Sequence, residues 1–178
     1  MNAIFKKLNY KGQDKIYVVN APKSFDKETD EMQTTAAVKT SIGVAKEVEF
    51  FLAFVTKQKE VDDLVRKVAA LIQGDGVLWF AYPKGSSKKY KCEFNRDNGW
   101  NELGKHGFEP VRMVAIDEDW SALRFRKAEN IKTMTRSFAM SETGKKRVGA
   151  EKKKVSKKNK GIRYYQKSSL RYDLIISE

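Results

Sequence analysis

Eight consecutive residues, Val48-Glu49-Phe50-Phe51-Leu52-Ala53-Phe54-Val55, carry a single polar side chain. A strand that is apolar on both sides has to be covered on both faces, and such strands belong to parallel sheets flanked by helices. Ile16-Tyr17-Val18-Val19, ending at Asn20-Ala21-Pro22, reads the same way. So does Val77-Leu78-Trp79-Phe80-Ala81-Tyr82, cut off by Pro83. The spacing between these runs leaves room for crossover helices, which the rest of the chain has to supply.

Residues 2–8 place Ile4, Phe5 and Leu8 on one helical face and predict a short opening helix. Pro22 suits the first turn of a helix, and the acidic stretch Asp26 to Glu31 fits a helix or a loop equally. Thr34 to Ile42 reads as a weak strand. Thr56 is the expected cap of a helix carrying Val61, Leu64, Val65, Val68, Leu71 and Ile72, with Gly74-Asp75-Gly76 as its stop. Asp97 to His106 is a further predicted helix, with Gly107 at the position that follows its cap. Val111 to Ile116 and Ser121 to Phe125 are separated only by Asp117-Glu118-Asp119-Trp120, too short for a parallel crossover, so they are antiparallel neighbours. The pattern as a whole predicts an α/β fold: a Rossmann-like, mostly parallel sheet ending in an antiparallel hairpin, with a basic C-terminal extension.

Residues 1–127 are expected to form the domain and 128–178 the extension. In the extension, Ile131, Met134 and Phe138 recur at helical spacing and predict an amphipathic helix packed back on the domain. Residues 145–163 have almost nothing to bury and are expected to be mobile. Leu170, Tyr172, Leu174 and Ile176 alternate with other residues as in a terminal strand, one that could add to a sheet edge or pair with another chain.

Charge separates the two parts. Of the 36 Lys and Arg, 21 lie in residues 1–126 against 18 acidic residues, and 15 lie in residues 127–178 against 5. The net charge of +13 is therefore mostly a property of the extension, and it points to a polyanionic partner or to a solvated tail. With Cys92 alone there is no internal disulfide and no cysteine zinc cluster. No membrane span and no signal-peptide core is present in the pattern, so a cytoplasmic setting without membrane contact is expected. Oligomeric state is left open.

The segments Val18-Val19-Asn20-Ala21-Pro22, Gly76 to Lys84 and Ile116 to Arg126 arrive in this order. Together they resemble a family of small bacterial proteins catalogued as domain of unknown function 3052, over about residues 2–127. That resemblance implies the fold and supplies no catalytic residue. The architecture also resembles that of S-adenosylmethionine-dependent methyltransferases. In those enzymes a Gly-rich turn follows the first strand, whereas Asn20-Ala21-Pro22-Lys23-Ser24 has no glycine. The resemblance thus implies a degenerate relative, and no cofactor is expected.

The dinucleotide fingerprint and the phosphate loop are both absent. His106 sits at an expected helix C-terminus, and Cys92, with Lys89, Lys91 and Arg96 nearby in sequence, reads as an ordinary thiol rather than a nucleophile. Ligands of open α/β sheets bind outside the carboxyl ends of the strands. That rim carries Asn20, Pro22, Thr56, Tyr82, Lys84, Ser86, Ser87 and Lys88, whose hydroxyls and ammonium groups suit an anion as well as they suit a polar turn. Asp117, Asp119, Trp120, Arg124 and Arg126 form a second cluster at the hairpin, read chiefly as structural; no metal is expected there. The third is the run Lys145, Lys146, Arg147, Lys152, Lys153, Lys154, Lys157, Lys158, Lys160 and Arg163, which could neutralise nucleic-acid phosphates. A binding or accessory protein is the first expectation, and a small-ligand or enzymatic protein using the strand rim the alternative.

Overall fold

The computed structural model describes residues 2–134 and 138–150. Among these residues six strands form one sheet: β1 (Lys15–Val19), β2 (Ala37–Lys39), β3 (Val48–Phe54), β4 (Ile72–Pro83), β5 (Phe108–Ala115) and β6 (Trp120–Lys127), in the order β2-β1-β3-β4-β6-β5. β2, β1, β3 and β4 are parallel, and β6 runs antiparallel to both β4 and β5. The chain is a mixed α/β protein of the Rossmann-like kind. The hairpin does not simply extend the sheet, because its second strand inserts beside β4 and leaves β5 at the edge.

Both faces are covered. On one, α3 (Gln58–Val68) and α4 (Asn101–Lys105) bring Val61, Val65, Val68 and Leu103 against Phe51, Leu78, Phe80 and Phe125. On the other, α1 (Ala3–Lys7) and α2 (Asp26–Gln33) bring Phe5, Leu8 and Met32 against Val18, Phe50, Leu52 and Trp79. Alternation along β3 sends Phe51 and Ala53 one way and Phe50, Leu52 and Phe54 the other, which is why this run has to be apolar throughout. The Trp79 indole N–H donates to the Leu8 carbonyl at 2.7 Å and locks the end of α1 onto β4. The Asn2 side chain caps α1 by accepting from the Ile4 and Phe5 N–H groups.

Several expectations are corrected. The acidic stretch from Asp26 is helical, and the strand expected over Thr34 to Ile42 shrinks to Ala37–Lys39, because Thr34 ends α2 with its hydroxyl on the Glu31 carbonyl. Lys57, and not Thr56, precedes α3; the Glu60 carboxylate caps it by accepting from the Thr56 and Lys57 N–H groups. Leu71 lies beyond α3, and Ile72 opens β4. Gly74-Asp75-Gly76 does not stop the helix but lies inside β4, where the register with β3 jumps between Val48↔Ile72 and Phe50↔Val77. A side chain at Gly76 would meet the Ile72 side chain at 2.9 Å and the Val48 carbonyl at 3.2 Å, so the bulge needs that glycine. The helix expected over Asp97 to His106 begins only at Asn101, because Asn98 and Asn95 cap a turn through their side chains. Strands β5 and β6 are both longer than expected.

The largest correction concerns the extension. Residues 131–134 are not helical, and Phe138 is exposed. Residues 142–150 are helical instead, so the expectation of mobility fails for 145–150. Residues 151–163 and the terminal strand expected over 170–176 lie outside the described residues.

Candidate functional site

The strand order reverses direction between β1 and β3: β1 connects through α2 to β2 on one side, and β3 through α3 to β4 on the other. In an open sheet this is where a ligand crevice forms. Asn20 stands at the end of β1, exposed, with φ of +55°. Pro22 follows, its carbonyl accepting from the Phe25 N–H as a short 3-10 turn folds Phe25 into the core. A nucleotide-type cofactor needs close backbone approach at this turn and a carboxylate at the end of β2 for its ribose. Here side chains stand at every turn position and β2 ends on Lys39, so the residues do not fit such a group.

The N-terminus of α3 is the neighbouring anion-binding element, but the chain supplies its own anions there. Glu60 accepts from the Thr56 and Lys57 N–H groups at the entry to the helix, and Glu93 accepts from the Gln58 N–H at 2.8 Å. The Thr56 carbonyl in turn accepts from the Glu93 N–H. The loop after β4 therefore lies across the β3 rim as a lid made of the chain itself.

Two clusters that look separate in the sequence form one structure. The Lys84 ammonium donates to the Asp117 carbonyl, and the Lys84 N–H donates to the Asp119 carbonyl at 2.7 Å. The Ser87 hydroxyl donates to Asp119 Oδ1 at 2.8 Å, and Lys89 stands 3.5 Å from Asp119 Oδ2. Asp117 Oδ1 accepts from the Asp119 and Trp120 N–H groups and so shapes the hairpin turn. Trp120 packs on Phe54 and Tyr90. Lys84 and Ser87 thus bond the hairpin, and with Tyr82 they also line the cleft described next; Ser86 and Lys88 are exposed.

Beside this structure lies a cleft of about 670 Å³ over the end of β4, lined by Tyr82, Lys91, Cys92, Arg96, Met113 and Ser121, among others. The Tyr82 hydroxyl donates to the Met113 sulfur at 3.3 Å, and burial raises it above its ordinary value. Burial also raises the Cys92 thiol, which keeps it protonated at neutral pH and a poor nucleophile. His106 caps the end of α4 with Nε2 at 3.8 Å from Glu102. No group of residues suited to hold a metal ion occurs among the described residues.

The extension is anchored by a buried carboxylate. Glu109 on β5 accepts from the Met140 N–H, the Ser141 N–H at 2.7 Å and the Ser141 hydroxyl at 2.6 Å. Ser141 then caps the helix by accepting from the Gly144 N–H at 3.0 Å. Arg147 is turned inward, its guanidinium on the carbonyls of Ala128, Ile131 and Lys132, and so is engaged within the protein. Lys145 pairs with Glu142 at 2.8 Å, and Lys146 is exposed. Lys152, Lys153, Lys154, Lys157, Lys158, Lys160 and Arg163 lie outside the described residues.

Arg124 and Arg126 project from one face of β6, away from the hairpin tip. Arg126 makes a bidentate pair with Asp75 at 2.6 and 2.7 Å. Arg124 lies directly across from Arg112 of β5, a residue that nothing in the local sequence marks out. Counting back along the hairpin from the Ile116–Trp120 hydrogen bond is enough to find it.

No helix among the described residues is long and apolar enough to cross a membrane. No family model and no curated protein matches the chain. Among solved structures, it is similar to ribosomal protein L11 methylase from Lactobacillus delbrueckii subsp. bulgaricus, with 9% identity, a TM-score of 0.45, and 70% of this chain and 74% of that chain covered. It is also similar to a protein in the NADB-Rossmann superfamily from Streptococcus agalactiae, with 10% identity, a TM-score of 0.41, and 76% and 71% covered.

Proposed function

We propose that this chain is a binding or accessory protein that contacts nucleic acid through its Lys-rich extension. The observation that carries the reading is the seat of that extension: Glu109 of β5 holds Met140 and Ser141, and the inward Arg147 holds the segment that follows β6. A run with 12 Lys and Arg and one Glu over residues 145–171 then begins from a fixed point on the domain. Fastening lowers the entropy lost when its cations meet a phosphate backbone. The engagement of Lys84, Ser87 and both carboxylates at the α3 N-terminus weighs against a phosphate site at the strand rim. The 670 Å³ cleft at the end of β4 supports the second reading, a small ligand held near Tyr82 and Arg96.

The test is an anisotropy titration of duplex and single-stranded oligonucleotides. It compares the full chain with a full-length variant whose extension lysines are Gln. With six to ten phosphates contacted, affinity should fall by about 10³–10⁵ between 50 and 200 mM salt, and the Gln variant should lose most of that dependence. Equal affinity of the two proteins would refute the reading. Binding of a small ligand that protects Cys92 from alkylation would favour the cleft instead.

A further inference from the structure

The face of the sheet that carries α1 and α2 is covered over β1, β3 and β4, but over β5 and β6 it carries arginines. Arg112 and Arg124 are direct cross-strand partners in the antiparallel register, and Arg126, two residues on, shares their face. Like charges placed directly opposite each other destabilise a strand pair. Asp75, the carboxylate that acts on Arg124, is held in a two-pronged pair by Arg126. Neither Arg112 nor Arg124 makes an ion pair among the described residues.

Arg124 is half-buried, and its Nε is shut from solvent with no hydrogen-bond partner. Desolvation lowers its pKa, Asp75 opposes that effect, and Arg126 and Arg112 add to it by repulsion. A buried guanidinium N–H left unpaired costs about 1–3 kcal/mol. Two facing cations, Arg112 exposed and Arg124 half-buried, repel each other, and an external anion on their open side would relieve that repulsion.

Resting on the nucleic-acid reading, we infer that the Arg112–Arg124 pair on the β5–β6 face is a second contact surface, binding backbone phosphates of the same nucleic acid that the Lys-rich extension engages. Planar guanidinium forks are suited to bidentate phosphate contacts. Adjacent strands present the two forks side by side. Among the described residues the exposed large apolar ones are Val44, Met113 and Phe138; Met113 pairs with Leu123 and so lies on the opposite face of β5, and none of the three stands between the two arginines as a wedge to enter a lipid surface. A flat cationic strand face fits a phosphodiester backbone better than a bilayer.

The experiment measures how affinity for a labelled duplex changes with salt. It uses the full chain, Arg112→Gln/Arg124→Gln, Arg112→Gln alone, and the full-length extension variant with Gln for Lys. Removing one arginine–phosphate interaction reduces the slope of log affinity against log salt by about one. The double variant should therefore be shallower by about two and the single variant by about one. Removing facing like charges should leave the melting temperature unchanged or raised. If the double variant unfolds, the exposed Arg112→Gln decides. A slope equal to wild type in the arginine variants, with the extension variant shallower, would overturn the sheet-face contact and leave the extension reading standing. Absence of wild-type binding at 50 mM salt would overturn both.

Discussion

Replacing Gly144 by Ala would place a methyl group 2.3 Å from Glu109 Oε1, with the Ala139 Cβ and the Ser141 Oγ both at 2.9 Å. Ordinary contact begins near 3.4 Å, so either the Glu109 carboxylate swings aside or the helix that starts at residue 142 retreats, by about 1 Å. Either movement stretches the 2.7 Å and 2.6 Å hydrogen bonds from Ser141 to Glu109 beyond hydrogen-bonding range. A hydrogen bond to a charged acceptor contributes about 1.5–3 kcal/mol, and water entering the gap restores a part. The expected cost to docking of the extension is about 2–4 kcal/mol, a loss of about 30- to 700-fold in amide protection. Hydrogen exchange at Ser141 and Gly144, with tryptic cleavage after Lys145, reads this directly. Gly149→Ala is the matched control, because nothing lies within 4 Å of its added carbon and Ala favours the helix by about 1 kcal/mol. Wild-type protection in Gly144→Ala would refute the Glu109 anchor.

Phe51→Ala empties a fully buried position beside Phe80 and should destabilise the protein by about 3–5 kcal/mol in urea unfolding; a loss below about 1 kcal/mol would refute its central placement. Glu102 is held below the ordinary carboxylate range, first by its hydrogen bond with Lys105 and further by Arg66 against the opposing effect of burial. Its contribution to stability is therefore full above the ordinary value of 4.5 and is lost as pH falls through the lowered one. Glu102→Gln should flatten the acid limb of melting temperature against pH, and an unchanged limb would show that the lowering has no thermodynamic weight.

The sheet is legible in the sequence because each of its central strands declares itself locally. Val48–Phe54 is apolar throughout, and the short link between β5 and β6 permits only antiparallel pairing. What the sequence conceals depends on partners far along the chain. Gly74-Asp75-Gly76 has the composition of a helix stop, yet the pairing of β4 with β3 makes it a bulge. Ile131, Met134 and Phe138 have helical spacing, but the carbonyls of Ala128, Ile131 and Lys132 accept from Arg147, so the acceptors a helix would use are already engaged. Lys84 and Ser87 look like free polar groups of a loop until the hairpin is placed beside them. The arginine pair is half visible: Arg124 stands out beside the hairpin carboxylates, and only the strand register reveals its partner.

Inserting β6 next to β4 has a consequence for how this protein behaves when crowded with copies of itself. Among the described residues the sheet ends on β2 and β5. β2 has three residues, two of them exposed, and closes on Lys39. β5 carries Pro110, which has no N–H to offer, followed by a break in register before Arg112. Short, charged, proline-bearing edges are poor templates for a neighbour's strand. The two long apolar runs, in β3 and β4, are thus kept inside the sheet, β3 between β1 and β4 and β4 between β3 and β6.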